Sequence, residues 1–215
     1  PPADLPPLAF PPPLGVIWTA TSPGQTNGSP GAADLNRDGA LDFVAGGGIE
    51  SRFGNVMAVC GATGDVLWRT ELRDEVFTRP VLLDLNADCV ADVVVGGRTG
   101  VLVALDGRDG ATLWQFAESD PRDDGIFNWL TPQPIDDLTG DGVPELLFAN
   151  GGDARAPPFT VRPPGHLLVI DPVDGAELAV AEGLFVADDE ERVDVVLDLR
   201  RVAVEGHRAH GVVLL

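Results

Sequence analysis

The chain contains no lysine and no tyrosine, which excludes lysine Schiff bases and tyrosine acids as catalytic groups. Three histidines and two cysteines among 215 residues are too few for a cysteine-rich zinc site or a disulfide-dense scaffold. No apolar stretch approaches the roughly 18 residues needed to cross a bilayer. All 14 basic residues are arginines, set against 34 acidic residues, and the net charge of −20 leaves no basic patch for nucleic acid. Membrane-spanning and nucleic-acid-binding proteins are therefore both disfavoured.

Glycine and proline are abundant, with 26 and 19 residues, and they separate short apolar runs. This punctuation is typical of many turns and few helices. Residues 1–13 are rich in proline and predict an extended lead, whereas residues 14–215 carry enough apolar sequence to form a core.

An internal repeat organises most of the chain. Acidic segments of nine residues begin at Asp34, Asp84 and Asp137, at intervals of about 50 residues, and a degenerate copy begins near Val186. Between them lie hairpin patterns, in which an apolar run, a Gly/Asp turn and a second β-prone run follow one another. Each period therefore predicts four short strands, a to d, with the acidic segment joining a to b.

Four-stranded units repeated at this period predict an all-β fold, a β-propeller of about four blades. Residues 14–20 are predicted to be an isolated strand d, because Trp18 lies 50 residues before Trp68. Trp18, Trp68 and Trp114 recur at the equivalent position of strand d and are predicted to serve blade packing. The chain ends on a predicted strand c at 211–215. The first strand closes a ring within one molecule, pairs with a neighbouring molecule in self-association, or belongs to a longer propeller, and the sequence leaves these three alternatives open.

The acidic segments have the spacing of calcium loops. Positions one, three, five and nine carry side-chain oxygens, and position seven offers a carbonyl, which suits a hard cation better than nitrogen or sulfur ligands do. Flanking strands and apolar residues at position twelve exclude a helical EF-hand. About three calcium ions are expected, with the ligands Asp34, Asn36, Asp38, Ala40 and Asp42; Asp84, Asn86, Asp88, Val90 and Asp92; and Asp137, Thr139, Asp141, Val143 and Glu145.

The segments D-L-N-R-D-G-A-L-D and D-L-N-A-D-C-V-A-D, each followed by an apolar run and glycines, resemble FG-GAP repeats, the calcium-loop blades of integrin α-chains and many secreted bacterial proteins. The hairpins T-G-D-V-L-W and D-G-A-T-L-W resemble those of quinoprotein-type propellers. The resemblance covers residues 14–180 and implies a calcium-stabilised propeller in a secreted or cell-surface setting, extracellular or periplasmic. In this scheme Cys60 and Cys89 lie on the same rim, and a disulfide between them is one expectation.

Two long irregular segments, 117–132 and 151–165, are predicted on the face opposite the calcium loops. Long loops on a rigid scaffold are common sites of recognition, and we expect a protein or glycan partner here. The candidate contact residues are Arg122, Asp123, Asp124, Phe127, Trp129, Arg155 and Phe159.

No nucleophile elbow or phosphate-binding loop is present in the sequence, so catalysis is the less favoured interpretation. The favoured function is a non-catalytic calcium-binding scaffold for adhesion, protein interaction or self-assembly. The alternatives are the propeller domain of a carbohydrate-processing enzyme and a filament subunit joined by strand donation.

Overall fold

The computed structural model describes residues 15–116, 128–151 and 166–182. These ranges contain thirteen strands in three antiparallel sheets, and no helix. It follows that they also hold no helix long and apolar enough to cross a membrane. The predicted all-β class is confirmed, and the sheets are blades of a β-propeller.

Each sheet is built from consecutive segments of the chain. The first blade contains β1 (Gly31–Ala33), β2 (Asp42–Ile49), β3 (Phe53–Val59) and β4 (Val66–Leu72). The second contains β5 (Val81–Leu83), β6 (Asp92–Gly96), β7 (Leu102–Leu105) and β8 (Thr112–Gln115). The third contains β9 (Asn128–Trp129), β10 (Gln133–Pro134), β11 (Leu146–Gly151), β12 (His166–Ile170) and β13 (Glu177–Glu182).

Strand order follows the chain in every blade, with each strand hydrogen-bonded to the next. The exception is the short β9, which pairs with the far end of β11. The acidic segments connect the first two strands of each four-stranded order, and the c–d hairpins close the outer edge. The a-to-d order predicted from the repeat is confirmed in three blades.

The second blade is buried on both faces. In β6, whose residues are all buried, Val93 and Val95 pack with Val44 of the first blade, whereas Val94 packs with Phe148 of the third. A strand that is covered on both faces of its sheet has apolar residues at successive positions, which explains the sequence D-V-V-V-G. The blades are therefore held together face to face, as propeller packing requires.

Three tryptophans that recur at the outer strand position each link to the following blade. The indole N–H donates to a carbonyl in the hairpin turn of the following blade: Trp18 to Gly61 at 2.9 Å, Trp68 to Gly107 at 2.7 Å and Trp114 to Pro172 at 2.7 Å. The prediction that these tryptophans serve blade packing is confirmed.

Glycine in the receiving turn is required by this contact. Gly110 has φ +75°, and a Cβ atom there would lie 2.5 Å from the ring of Trp68. Left-handed backbone and close approach of the indole both select glycine.

The predicted isolated strand at 14–20 is not formed, since residues 15–20 are without strand pairing. Trp18 nevertheless holds the packing position of an outer strand against the first blade. The residues predicted to pair with this segment, 211–215, lie outside the described part of the chain, as do the 1–13 lead and the degenerate acidic segment near Val186.

The innermost strands of the three described blades line an open cleft of about 360 Å³. Its walls come from β1, β5 and β10 together with the segments that enter them, and they include Arg79, Leu82 and Pro132. The acidic loops begin near the ends of the same three strands.

Candidate metal centres in the acidic loops

Three acidic loops lie at the same end of the blades: the first loop is 34–42, the second 84–92 and the third 137–145. In each, the carboxylate at position one folds back over the loop and accepts two backbone N–H groups. Asp34 accepts from Asp38 and Gly39 (3.1 and 3.0 Å), Asp84 from Asp88 and Cys89 (3.1 and 2.9 Å), and Asp137 from Gly140 and Gly142 (2.6 and 2.9 Å).

Positions three and five complete a second set of local bonds. At position five, the carboxylates accept the N–H of position seven at 2.8 Å: Asp38 from Ala40, Asp88 from Val90 and Asp141 from Val143. At position three, the amide oxygens of Asn36 and Asn86 accept the N–H of position five, and Thr139 donates its hydroxyl to Asp137 at 3.5 Å. The three loops thus share one pattern of local hydrogen bonds, from which the third departs at position three, where Thr139 donates instead of accepting.

The carboxylate at position nine is completely buried and ties the loop to the blade. Asp92, with an exposed fraction of 0%, accepts the N–H of Leu85 at 2.8 Å and that of Gly107, in the outer hairpin turn, at 3.0 Å. Asp42 makes the equivalent bonds to Leu35 and Gly61. These residues were predicted as metal ligands, and the structure gives them a structural role as well.

Glutamate replaces aspartate at position nine of the third loop, and the sequence of the hairpin explains the difference. Pro172 occupies the place of Gly107 and has no N–H to donate. The carboxylate of Glu145 is directed to the loop itself, where it accepts the N–H groups of Leu138 and, at 3.0 Å, Thr139.

Two residues in each loop, at positions four and six, have left-handed backbone. In the third loop both are glycines, and in the first they are Arg37 and Gly39, but in the second they are Ala87 (φ +59°) and Cys89 (φ +65°). The second loop therefore keeps the shared conformation without any glycine, at a steric cost of about 1–2 kcal/mol per residue.

We expect Cys89→Gly to raise the free energy of unfolding by about 1 kcal/mol, because it relieves left-handed strain at an exposed position. Urea unfolding in a calcium-free buffer measures the change. Cys89→Ala retains the Cβ and serves as the control, with no gain expected. If the glycine variant is no more stable than the alanine variant, the claim that the backbone of Cys89 is strained is contradicted.

Sequence reasoning missed one position in each blade. Cys60, Asp106 and Asp171 directly follow the third strand of each four-stranded order, and each starts the hairpin turn with the same pair of backbone bonds. Asp106 lies beside the second loop, where its carboxylate accepts the amide of Asn86 at 3.3 Å. Alignment of C-G-A-T-G, D-G-R-D-G and D-P-V-D-G at blade spacing would have identified this position.

Cys60 faces the acidic loop of its own blade. Its buried thiol lies 3.5 Å from the Asp38 carboxylate and, with Asp42, forms a group whose potential ligand atoms are within 4.8 Å of one another. The structure contains no disulfide between Cys60 and Cys89, which is exposed in the next blade. That expectation is wrong for this structure, because the Cys60 side chain is directed toward its own loop.

Exposed carboxylates of the loops are stabilised in the ionised form by the loop backbone. The N–H of Ala40 is the largest cause that lowers the pKa of Asp38, and the N–H of Gly140 is the largest cause that lowers the pKa of Asp137. Both side chains are therefore charged and available to a cation at neutral pH.

The pKa values of two carboxylates at the same end, the buried Asp92 and the partly buried Asp171, are raised instead of lowered. Burial raises the pKa of Asp92, and the nearby charges of Asp106 and Asp88 add to the effect. Burial also raises the pKa of Asp171, with further contributions from neighbouring carboxylates that include Asp141. Ionising these groups at neutral pH costs folding free energy, and a bound cation would offset that cost.

Two buried acidic residues at the opposite end of the blades, Asp74 and Glu75, are hydrogen-bonded to protein groups. Glu75, buried between the first two blades, accepts the Nε–H of Arg98 at 2.6 Å and the amide of Asn27 at 2.6 Å. Asp74 accepts the hydroxyl of Thr99 at 2.6 Å and the N–H of Ser51 at 2.8 Å. This network joins the first two blades at the end opposite the acidic loops.

Trp129 was predicted to contact a partner, but the structure places it in the core. It is 2% exposed, and its ring meets Phe116 and Phe148 edge to face, with centroid distances of 5.2 and 5.9 Å. Its sequence neighbours are typical of a loop, but packing against two aromatic rings stabilises the indole in the core. The remaining predicted contact residues, Arg122, Asp123, Asp124, Phe127, Arg155 and Phe159, lie outside the described residues.

Comparison with known proteins adds a family and distant relatives. The family model described as outer membrane protein assembly factor BamB matches residues 15–182. Protein FAM234A of Mus musculus is 37% identical over 97 residues, covering 43% of this chain and 17% of that protein. The Bos taurus protein of the same name is 38% identical over 94 residues, with the same coverage. The chain thus spans about a sixth of the length of these curated relatives.

A solved structure of BamB from Moraxella catarrhalis matches with a TM-score of 0.48 and 19% identity. The match covers 74% of this chain and 37% of that one.

Proposed function

This chain belongs to the family described as outer membrane protein assembly factor BamB, and we propose that it is a non-catalytic propeller scaffold, stabilised by calcium, that binds protein partners outside the cytoplasm. The description of the family names it as an assembly factor. We infer from this that the chain acts as a scaffold that holds other proteins. Adhesion and self-assembly are specific forms of the same function.

The repetition of one loop structure in three blades is the observation that carries the calcium proposal. Each loop brings a carboxylate at position five beside a carboxylate at position one, above a buried carboxylate at position nine, and the position-five carboxylates Asp38 and Asp141 are exposed. In the described part of the chain, Asp34, Asp38 and Asp141 have no arginine within 4.0 Å. A divalent cation would remove the mutual repulsion of these groups.

Calcium suits these donors because they are hard oxygens. In the first loop, Asp34, Asn36, Asp38 and Asp42 would hold the ion together with the carbonyl of Ala40. When bound, calcium supplies charge neutralisation and rigidity. Loops of this kind with Kd values of about 10⁻⁴ to 10⁻³ M fill only where calcium is abundant, which supports an extracellular or periplasmic location. The resemblance to FG-GAP repeats has the same basis.

Protein rather than glycan partners are favoured by the burial of Trp129, because the aromatic platform expected for a sugar is in the core. Self-association remains a second form of partner binding. The apolar segment 15–20 supports it, since Val16 and Ile17 are 81% and 90% exposed beside the packed Trp18.

Calorimetric titration with calcium tests the proposal. At a free calcium concentration about a hundredfold above Kd, one site adds about 2.7 kcal/mol of stability, and we expect a rise in Tm of about 5–10 °C. Asp38→Asn is expected to remove one site from the measured stoichiometry. Glu71→Gln, on an exposed outer-strand residue of the first blade, is the charge-matched control. Identical titrations for wild type and Asp38→Asn would contradict calcium binding at the first loop.

A further inference from the structure

The second loop differs from the other two in having its own cation. The guanidinium of Arg108 lies 2.7 Å from Oδ2 of Asp88, the carboxylate at position five, and also donates to the Asp88 carbonyl at 3.2 Å. The other oxygen, Oδ1, accepts the N–H of Val90. Both oxygens of this predicted calcium ligand are therefore occupied by protein donors.

A second arginine reaches the same residue from the neighbouring blade. Arg37, at position four of the first loop, donates to the Asp88 carbonyl at 2.5 Å. Arg37 and Arg108 thus both donate to the carbonyl of Asp88, and this predicted calcium ligand has two positively charged neighbours. Both arginines contact the second loop directly beside Ala87 and Cys89, the two left-handed positions that lack glycine.

Comparison of the three repeats shows that only the second has an arginine at the position of Arg108. It is the third residue of the hairpin turn D-G-R-D-G, and the equivalent residues are Ala62 in C-G-A-T-G and Val173 in D-P-V-D-G. Neither of these side chains carries a charge. The first and third loops therefore have no guanidinium at this place.

We propose that Arg108 is the built-in cation of the second loop, and that it makes this loop a weak calcium site beside a stronger first and third loop. The inference rests on the proposed function and changes the expected stoichiometry from about three ions to two strong sites. A divalent ion at the second loop has to approach or displace a guanidinium at contact distance. Arg108 is about half exposed, and Asp88 is mostly buried, with side-chain exposures of 51% and 17%, so the repulsion is only partly screened.

A protein with only the second loop intact tests the proposal. Asp38→Asn and Asp141→Asn disable the first and third loops, and calcium affinity is then measured by calorimetry with and without Arg108→Ala. We expect Arg108→Ala to strengthen binding by about tenfold, from the Coulomb energy of one positive charge about 5 Å from the ion in a water-like dielectric. Arg52→Ala removes the same charge from an exposed turn of the first blade at the opposite end and is expected to leave the affinity unchanged.

The converse substitution keeps the test independent of how the second loop folds. In a protein with Asp88→Asn and Asp141→Asn, Ala62→Arg is expected to weaken calcium binding at the first loop by a similar factor. If the first loop binds calcium but neither arginine substitution changes an affinity, the role of Arg108 is refuted while the proposed function stands. If no loop binds calcium in any variant, both fail together.

Discussion

Replacing Asp92 with alanine is expected to lower the free energy of unfolding by about 3–5 kcal/mol, because two backbone N–H groups lose their acceptor. Those of Leu85 and Gly107 are bonded to Asp92 at 2.8 and 3.0 Å, and the carboxylate is fully buried. Its loss frees the second loop from the hairpin turn at the outer edge. Urea unfolding followed by tryptophan fluorescence measures the change.

Asp109→Ala is the matched control for this prediction. Asp109 also accepts a backbone N–H, from Ala111 at 2.8 Å, but it is exposed in the same hairpin turn. Water replaces the lost acceptor there, and a cost of only about 0.5–1 kcal/mol is expected. Equal effects of the two substitutions would mean that Asp92 does not hold loop and blade together.

Trp68→Ala is expected to destabilise the protein by about 3–5 kcal/mol, since it removes a buried aromatic ring between two blades. The ring is 6% exposed, lies against Gly110 and donates its N–H to Gly107. Equilibrium unfolding gives the loss directly. Trp68→Phe keeps most of the apolar ring but not the donor, and we expect it to cost about 1–2 kcal/mol.

The repeat supplies an internal comparison for that result. Trp18 makes the same bond to Gly61 but is only half-buried, because it stands at the outer side of the first blade. Its replacement with alanine is expected to cost clearly less than that of Trp68. A larger loss at Trp18 than at Trp68 would contradict the view that contact between adjacent blades carries the stability.

Patterns that recur at blade spacing could be used to predict much of the fold from sequence. They predict the strand order, the number of blades in the described chain and the packing roles of Trp18, Trp68 and Trp114. Repetition also predicted one common structure for the three acidic loops. The conformation of Cys89 agrees with this, since it takes the left-handed backbone of its glycine equivalents despite its side chain.

Features that depend on a single side-chain direction could not be predicted in this way. Trp129 lies in a sequence that looks like a loop, but its ring turns into the core beside Phe148. Cys60 and Cys89 lie on one rim, yet the Cys60 thiol is directed toward Asp38 in its own blade. Arg108 reaches Asp88 across a turn, and linear spacing does not reveal such a pair.

The position of calcium in a crystal grown in calcium-replete buffer tests the central claim most directly. Anomalous difference density at long wavelength distinguishes calcium from water at each loop. We expect strong peaks beside Asp38 in the first loop and Asp141 in the third, with little or none beside Asp88 in the second. Ordered loops that hold only water beside Asp38 and Asp141 would contradict the calcium-stabilised propeller.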